Sequence, residues 1–132
     1  MNLFRILMPK QTVTYFSDKK SLDQAVHTLM ESTYTAVPVI DDEGRYVGIV
    51  SEGDFLRAVM KYGKEHLCEY KIEDIVNKDM DAVVLNTVEK DEILEKILDK
   101  NFLVMVDDRN CFIGIVTRKN IISYLKRYKG QM

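Results

Sequence analysis

The sequence predicts an α/β fold in which one β-α-β-β-α unit is laid down twice, and three observations carry that reading. The run Val37-Pro38-Val39-Ile40-Asp41-Asp42, continued by Gly48-Ile49-Val50-Ser51, returns as Leu103-Val104-Met105-Val106-Asp107-Asp108 and Gly114-Ile115-Val116-Thr117, a gap-free shift of 66 in a chain of 132 residues. Each run holds two β-prone stretches on either side of a polar turn, the pattern of an antiparallel hairpin. Each hairpin is preceded and followed by apolar residues at helical spacing. Two copies of a unit too small to close its own core are expected to pack face to face, leaving a pair of related clefts.

In the first copy, Val13 to Phe16 is a short β-prone run. A helix starts after Ser17-Asp18 or after Ser21, with Leu22, Ala25, Val26, Leu29 and Met30 forming one apolar stripe. Ala36 to Ile40 and Tyr46 to Val50 are strands joined through Asp41-Asp42-Glu43-Gly44, where glycine suits a positive φ. Ser51 caps the next helix with Asp54 at its third position, an approximate capping box, and the helix continues through Phe55, Leu56, Val59 and Met60. In the second copy, Ala82 to Leu85 is the short strand and Ile93, Leu94, Ile97 and Leu98 form the stripe, now shifted by 68, so this copy is two residues shorter before its hairpin. Phe102 to Val106 and Phe112 to Val116 form the hairpin, and Thr117 caps a last helix carrying Ile121, Ile122 and Leu125. The repeats are placed at 1–61 and 72–132, with the polar stretch 62–71 as their connection.

Hydrophobic residues make up 46% and charged residues 30%, the balance of a globular domain rather than a disordered one. A formal net charge of −2 provides no whole-chain field for nucleic acid or an anionic membrane. No apolar run reaches the roughly 18 residues that span a bilayer. Met1 to Met8 lacks a cleavage-like site, and Cys68 and Cys111 are lone thiols, so a cytoplasmic location is expected. His27, His66 and the two cysteines have no metal-ligand spacing. Gly-x-Ser-x-Gly and Walker motifs are absent, and no catalytic residues or cofactor are assigned. The basic end, Arg118-Lys119, Lys126-Arg127 and Lys129, reads as a solvated helix face.

The strand-to-helix corners are the sharpest candidates for chemistry. Gly48-Ile49-Val50-Ser51-Glu52-Gly53-Asp54 and Gly114-Ile115-Val116-Thr117-Arg118-Lys119-Asn120 share glycine, two apolar residues, a hydroxyl, two variable residues, then Asp or Asn. A helix start offers unpaired N–H groups and partial positive charge to a phosphate, and a carboxylate or amide one turn later suits a ribose. Ordinary helix caps have the same composition. Occurrence at both corners of a duplicated unit favours a site.

Those corners, with Tyr34-Thr35-Ala36-Val37-Pro38-Val39-Ile40-Asp41 and Phe102-Leu103-Val104-Met105-Val106-Asp107, resemble tandem CBS domains, the pair called a Bateman module. The resemblance implies two repeats about a pseudo-twofold axis and adenine-nucleotide binding in clefts built from both copies. Carried over, one cleft combines Thr12, Thr14, Tyr34, Thr35, Ala36 and Pro38 with Thr117, Arg118 and Asn120. The other combines Val83, Phe102 and Leu103 with Ser51 and Asp54. The first carries Asn120 where the family usually has Asp; the second lacks a proline matching Pro38. Tyr34-Thr35-Ala36 with Thr117-Arg118-Lys119 is also similar to stand-alone CBS pairs that bind cyclic di-AMP, which often have a second Arg at the place of Lys119. The function expected is a non-catalytic module that senses AMP, ADP, ATP or cyclic di-AMP and signals to an effector protein. It would form a homodimer through Phe55, Leu56, Val59, Ile121, Ile122 and Leu125. The alternative is a structural dimerisation module with unoccupied clefts.

Overall fold

The computed structural model describes residues 3–127. In chain order the elements are α1 (Leu3–Ile6), β1 (Leu7–Pro9), β2 (Phe16–Ser17), α2 (Leu22–Glu31), β3 (Ala36–Ile40), β4 (Tyr46–Ser51), α3 (Glu52–Tyr62), β5 (Val83–Val84), α4 (Lys90–Ile97), β6 (Phe102–Val106), β7 (Phe112–Thr117) and α5 (Arg118–Arg127). They fall into two compact units. One is contiguous, Thr14–Asp81; the other is split, joining the chain up to Val13 to the chain from Ala82 onward.

The hairpins are equivalent pair by pair. Ala36 faces Ser51 and Val39 faces Gly48; Phe102 faces Thr117 and Met105 faces Gly114. Both ladders slip at the same place, between Val39 and Ile40 and between Met105 and Val106. The left-handed turn position is Gly44 at φ 82° in one copy and Asn110 at φ 65° in the other, the residue types that bear that conformation most readily. Asp41 Oδ1 accepts from the Glu43 and Arg45 N–H groups, each at 2.9 Å, and Asp107 Oδ1 repeats this with Arg109 and Cys111. Partial burial opposes ionisation of Asp41, but those N–H donors and the Arg45 guanidinium outweigh it and hold the carboxyl below its usual range.

In each unit a short strand adds in parallel to one side of the hairpin, Phe16 against Val39 and Val83 against Met105. The other side is completed by residues that precede the opposite copy in sequence. β1 runs antiparallel to β7, with Met8 opposite Ile115. In the contiguous unit Asn77 takes that role, exchanging N–H···O bonds of 2.8 and 2.9 Å with Ile49. A short helical turn leads into each, Leu3–Ile6 in one and Ile72–Asp74 in the other. This reciprocal pairing is why one unit is split.

The contiguous unit's core gathers Phe16, Leu22, Leu29, Val37, Val39, Val50 and Phe55, with the Phe16 and Phe55 rings edge to face at 6.4 Å. Ile6, Ile93, Leu103, Met105, Val116 and Ile121 fill the core of the split unit. The helix after Phe16 starts from Ser21, the later of the two expected positions. The stretch read as a polar connection is folded onto its unit. Lys64–Glu69 is a 3-10 helix with Leu67 in the core, the Tyr62 and Tyr70 rings stack at 3.7 Å, and the Tyr70 carbonyl accepts from Leu22 N–H. The Tyr46 hydroxyl donates to the Met80 carbonyl at 2.7 Å, and burial pushes its phenol well above the usual range.

The helix faces need one correction. Phe55 and Ile121, expected to supply exposed apolar surface, are core residues at 4% and 3% exposure. Leu56 and Ile122, each 62% exposed, are the outward ones, joined by Met60, Met30 and Leu98.

Candidate functional site

The two corners sit at equivalent places and are wired differently. At the start of α3, Asp54 N–H donates to Ser51 Oγ at 3.3 Å, and Asp54 Oδ2 accepts from Ser51 N–H at 2.8 Å and Ser51 Oγ at 3.0 Å. This is a complete capping box. Arg57 adds a 2.6 Å contact to Asp54 Oδ1, so both carboxylate oxygens are engaged within the helix. At the start of α5, Asn120 N–H donates to Thr117 Oγ1 at 3.0 Å. The Asn120 side chain turns away from the cap, and its Nδ2 donates to the Ile6 carbonyl at 3.4 Å. An aspartate has no proton to give that carbonyl, which accounts for the amide here.

Each corner is pinned to the strand start beside it. Glu52 N–H donates to the Thr35 carbonyl and Arg118 N–H to the Asn101 carbonyl, both at 3.0 Å. The Arg118 guanidinium also bonds the Leu98 carbonyl where α4 ends, using one of its five N–H donors. Charge separates the corners further. The first turn of α3 holds Glu52 and Asp54, whereas that of α5 has no acidic residue and begins Arg118-Lys119. An incoming phosphate meets repulsion at the first and attraction at the second.

The predicted site residues are distributed as follows. Within the contiguous unit, Thr35 and Ala36 lie beside Ser51 and Asp54 at one end of the sheet, because Ala36 pairs with Ser51. Within the split unit, Phe102 pairs with Thr117, next to Arg118 and Asn120. Thr14, Tyr34 and Pro38 belong to the contiguous unit; Thr12, whose hydroxyl donates to the Pro9 carbonyl at 2.8 Å, belongs to the split one. The side chains of Pro38, Val83 and Leu103 are buried, so any ligand contact they make is through backbone. Sequence reasoning missed the two side-chain ties, Asn120 to Ile6 and Arg118 to Leu98. It also missed the meaning of Gly48 and Gly114: glycine inside a strand marks close approach of another backbone. A Cβ at these positions would lie 2.3 Å from the Asn77 carbonyl oxygen and 2.2 Å from that of Met8.

The family model for the CBS domain matches this chain twice, over residues 6–61 and 72–127, one match for each copy of the repeat. The chain belongs to the CBS-domain family. The CBS pair is 30% identical over 122 residues to inosine-5'-monophosphate dehydrogenase of Methanocaldococcus jannaschii, covering 91% of this chain and 22% of that enzyme. It therefore spans about a fifth of that relative's length. Among solved structures it is similar to CbpB in complex with c-di-AMP, with TM-score 0.89 and 29% identity over 96% of this chain and 85% of that one. CBSX2 in complex with AMP gives TM-score 0.73 and 27% identity over 92% and 93% of the two chains. Among the described residues of this CBS pair, no helix is long and apolar enough to cross a membrane, and no group of three or more His, Cys, Asp or Glu is placed to hold a metal.

Proposed function

We propose that this CBS pair is a non-catalytic regulatory module that binds an adenine nucleotide, AMP, ADP, ATP or cyclic di-AMP, and passes the bound state to an effector protein. The observation that carries the reading is the α5 corner. There a hydroxyl-capped helix start, a guanidinium and an amide lie together with no acidic residue in the first turn. The likeness to CbpB and CBSX2, solved with c-di-AMP and AMP, supports the ligand class. In this reading the phosphate is held at Thr117 and Arg118, and Thr12, Thr14, Tyr34, Thr35 and Ala36 receive the base. The second corner, Ser51 and Asp54, takes at most a ribose, because its carboxylate is saturated by the cap and Arg57.

Arg118→Ala is expected to weaken nucleotide binding by about 1.5–3 kcal/mol, the loss of a charged hydrogen bond to phosphate. Ser51→Ala should change it far less. Calorimetry with AMP, ATP and cyclic di-AMP on both variants makes the comparison, with thermal melts of the ligand-free proteins to register the lost tie to Leu98. Unchanged affinity in Arg118→Ala together with lost binding in Ser51→Ala would assign the ligand to the other corner. A ligand that binds only the folded state raises the melting temperature, so a panel in which no nucleotide does so would favour the structural dimerisation module.

The same reading includes a homodimer. Leu56 and Ile122 occupy equivalent outward positions on α3 and α5, and apolar side chains so exposed on both helices suit burial by a second chain. Light scattering at tens of micromolar should give the dimer mass, and replacing both residues with Glu should give the monomer. A monomer from the parent chain would remove the dimer from the proposal.

A further inference from the structure

We propose that the groove between α1 and α5 is a second binding site, one for a phosphate-bearing anion held by Arg5 and Arg127. The groove encloses about 350 Å³ and is lined by Arg5, Ile6, Asn120, Ser123, Tyr124 and Arg127. Its lining holds two guanidiniums, an amide, a serine hydroxyl and a phenol, with no carboxylate. Guanidinium forks are the side chains best matched to phosphate oxygens.

The second observation is that the fold makes this groove twice. Ile49 and Ile115 occupy the same register position, and they pair with Asn77 and Met8. Counting back from those partners sets Arg5 against Asp74. The helices superpose Asn120 on Asp54, Ser123 on Arg57 and Arg127 on Lys61. Asp54, Arg57, Lys61 and Asp74 do line a groove in the contiguous unit, of about 180 Å³. That groove is self-neutralised: two acids face two bases, and Arg57 closes on Asp54 at 2.6 Å. In the split unit both acids are gone, one replaced by Arg5 and the other by Asn120, and the hydroxyl of Ser123 stands where Arg57 does. The same architecture thus carries a net charge of zero in one copy and two positive charges in the other, in about twice the volume. A cation in the last turn suits any helix, which covers Arg127 and Lys61 alike. It does not cover Arg5, which stands where the other copy has an aspartate.

The test is isothermal titration of the full chain with inorganic pyrophosphate at low ionic strength. The parent should bind, Arg5→Gln/Arg127→Gln should bind at least tenfold more weakly, and Lys61→Gln should bind as the parent does. Melting curves of the variants check that they fold. A parent that takes up no pyrophosphate, or a double variant that binds it as the parent does, overturns the proposal. So does an equal loss in Lys61→Gln. Repeating the titration after saturation with AMP identifies the source of the anion. If AMP blocks pyrophosphate and adenosine does not, the nucleotide's own phosphate fills the groove. If both bind together, the groove takes a separate phosphate-bearing ligand. Failure of every nucleotide to bind, with pyrophosphate still lost in the double variant, would sink the nucleotide reading and leave the groove standing.

Discussion

Phe16→Ala is expected to cost about 3–5 kcal/mol, the range for removing a fully buried aromatic ring. The ring is 1% exposed and edge to face with Phe55, so truncation leaves a void and also removes an aromatic pair. Phe16 is also half of the two-residue strand β2, held to β3 only through Phe16–Val39 and Ser17–Ile40. Losing its anchor should release that strand, so urea unfolding followed at the β3 amides should show both a lower midpoint and early exchange at Val39 and Ile40. A loss below about 1 kcal/mol would mean the site collapses around the missing ring.

Gly114→Ala is expected to cost about 2–4 kcal/mol, combining overpacking with backbone strain. The new Cβ would lie 2.2 Å from the Met8 carbonyl oxygen, a backbone atom that moves only if β1 leaves β7, and Gly114 has φ 155°. Hydrogen exchange should therefore show protection lost at Leu7 and Met8 before the β6–β7 hairpin loosens. Gly48→Ala puts the same pressure on Asn77 but at an ordinary φ, so its penalty should be the smaller of the two. Unchanged protection at Leu7 and Met8 in Gly114→Ala would refute the close approach.

The hairpins and caps were legible in the sequence because every determinant is local. Alternation sets the strands, Gly44 and Asn110 set the turns, and Ser51-x-x-Asp54 sets the box; β4 and β7 each extend one residue further, to Ser51 and Thr117. The helix faces were half legible. Large apolar residues point to Phe55, Leu56, Val59 and Met60, but the buried stripe turns through Ala58, and on α5 through Tyr124. A small residue and a polar-tipped aromatic carry little weight in a pattern of hydrophobicity, so the face was rotated toward its larger neighbours. The β1–β7 pairing was not legible. Three residues ending in proline have no alternation to read, and their partners lie more than a hundred positions away. The Asn120–Ile6 tie shares that difficulty, and with it one determinant of which corner suits a ligand.

Reciprocal pairing of the leading segments has a consequence for the order in which the chain matures during synthesis. The contiguous unit has all its strands once Asn77 has left the ribosome, so it can close while the rest is still being translated. The split unit contains both the first residues made and some of the last. β1 emerges early and has no partner until Val116 follows it out, more than a hundred residues later. A nascent chain released before that point would present a finished contiguous unit and an unpaired leading strand. Cutting the gene at its midpoint would be worse for both products, since each half would carry the edge strand that completes the other and lack the one it needs itself.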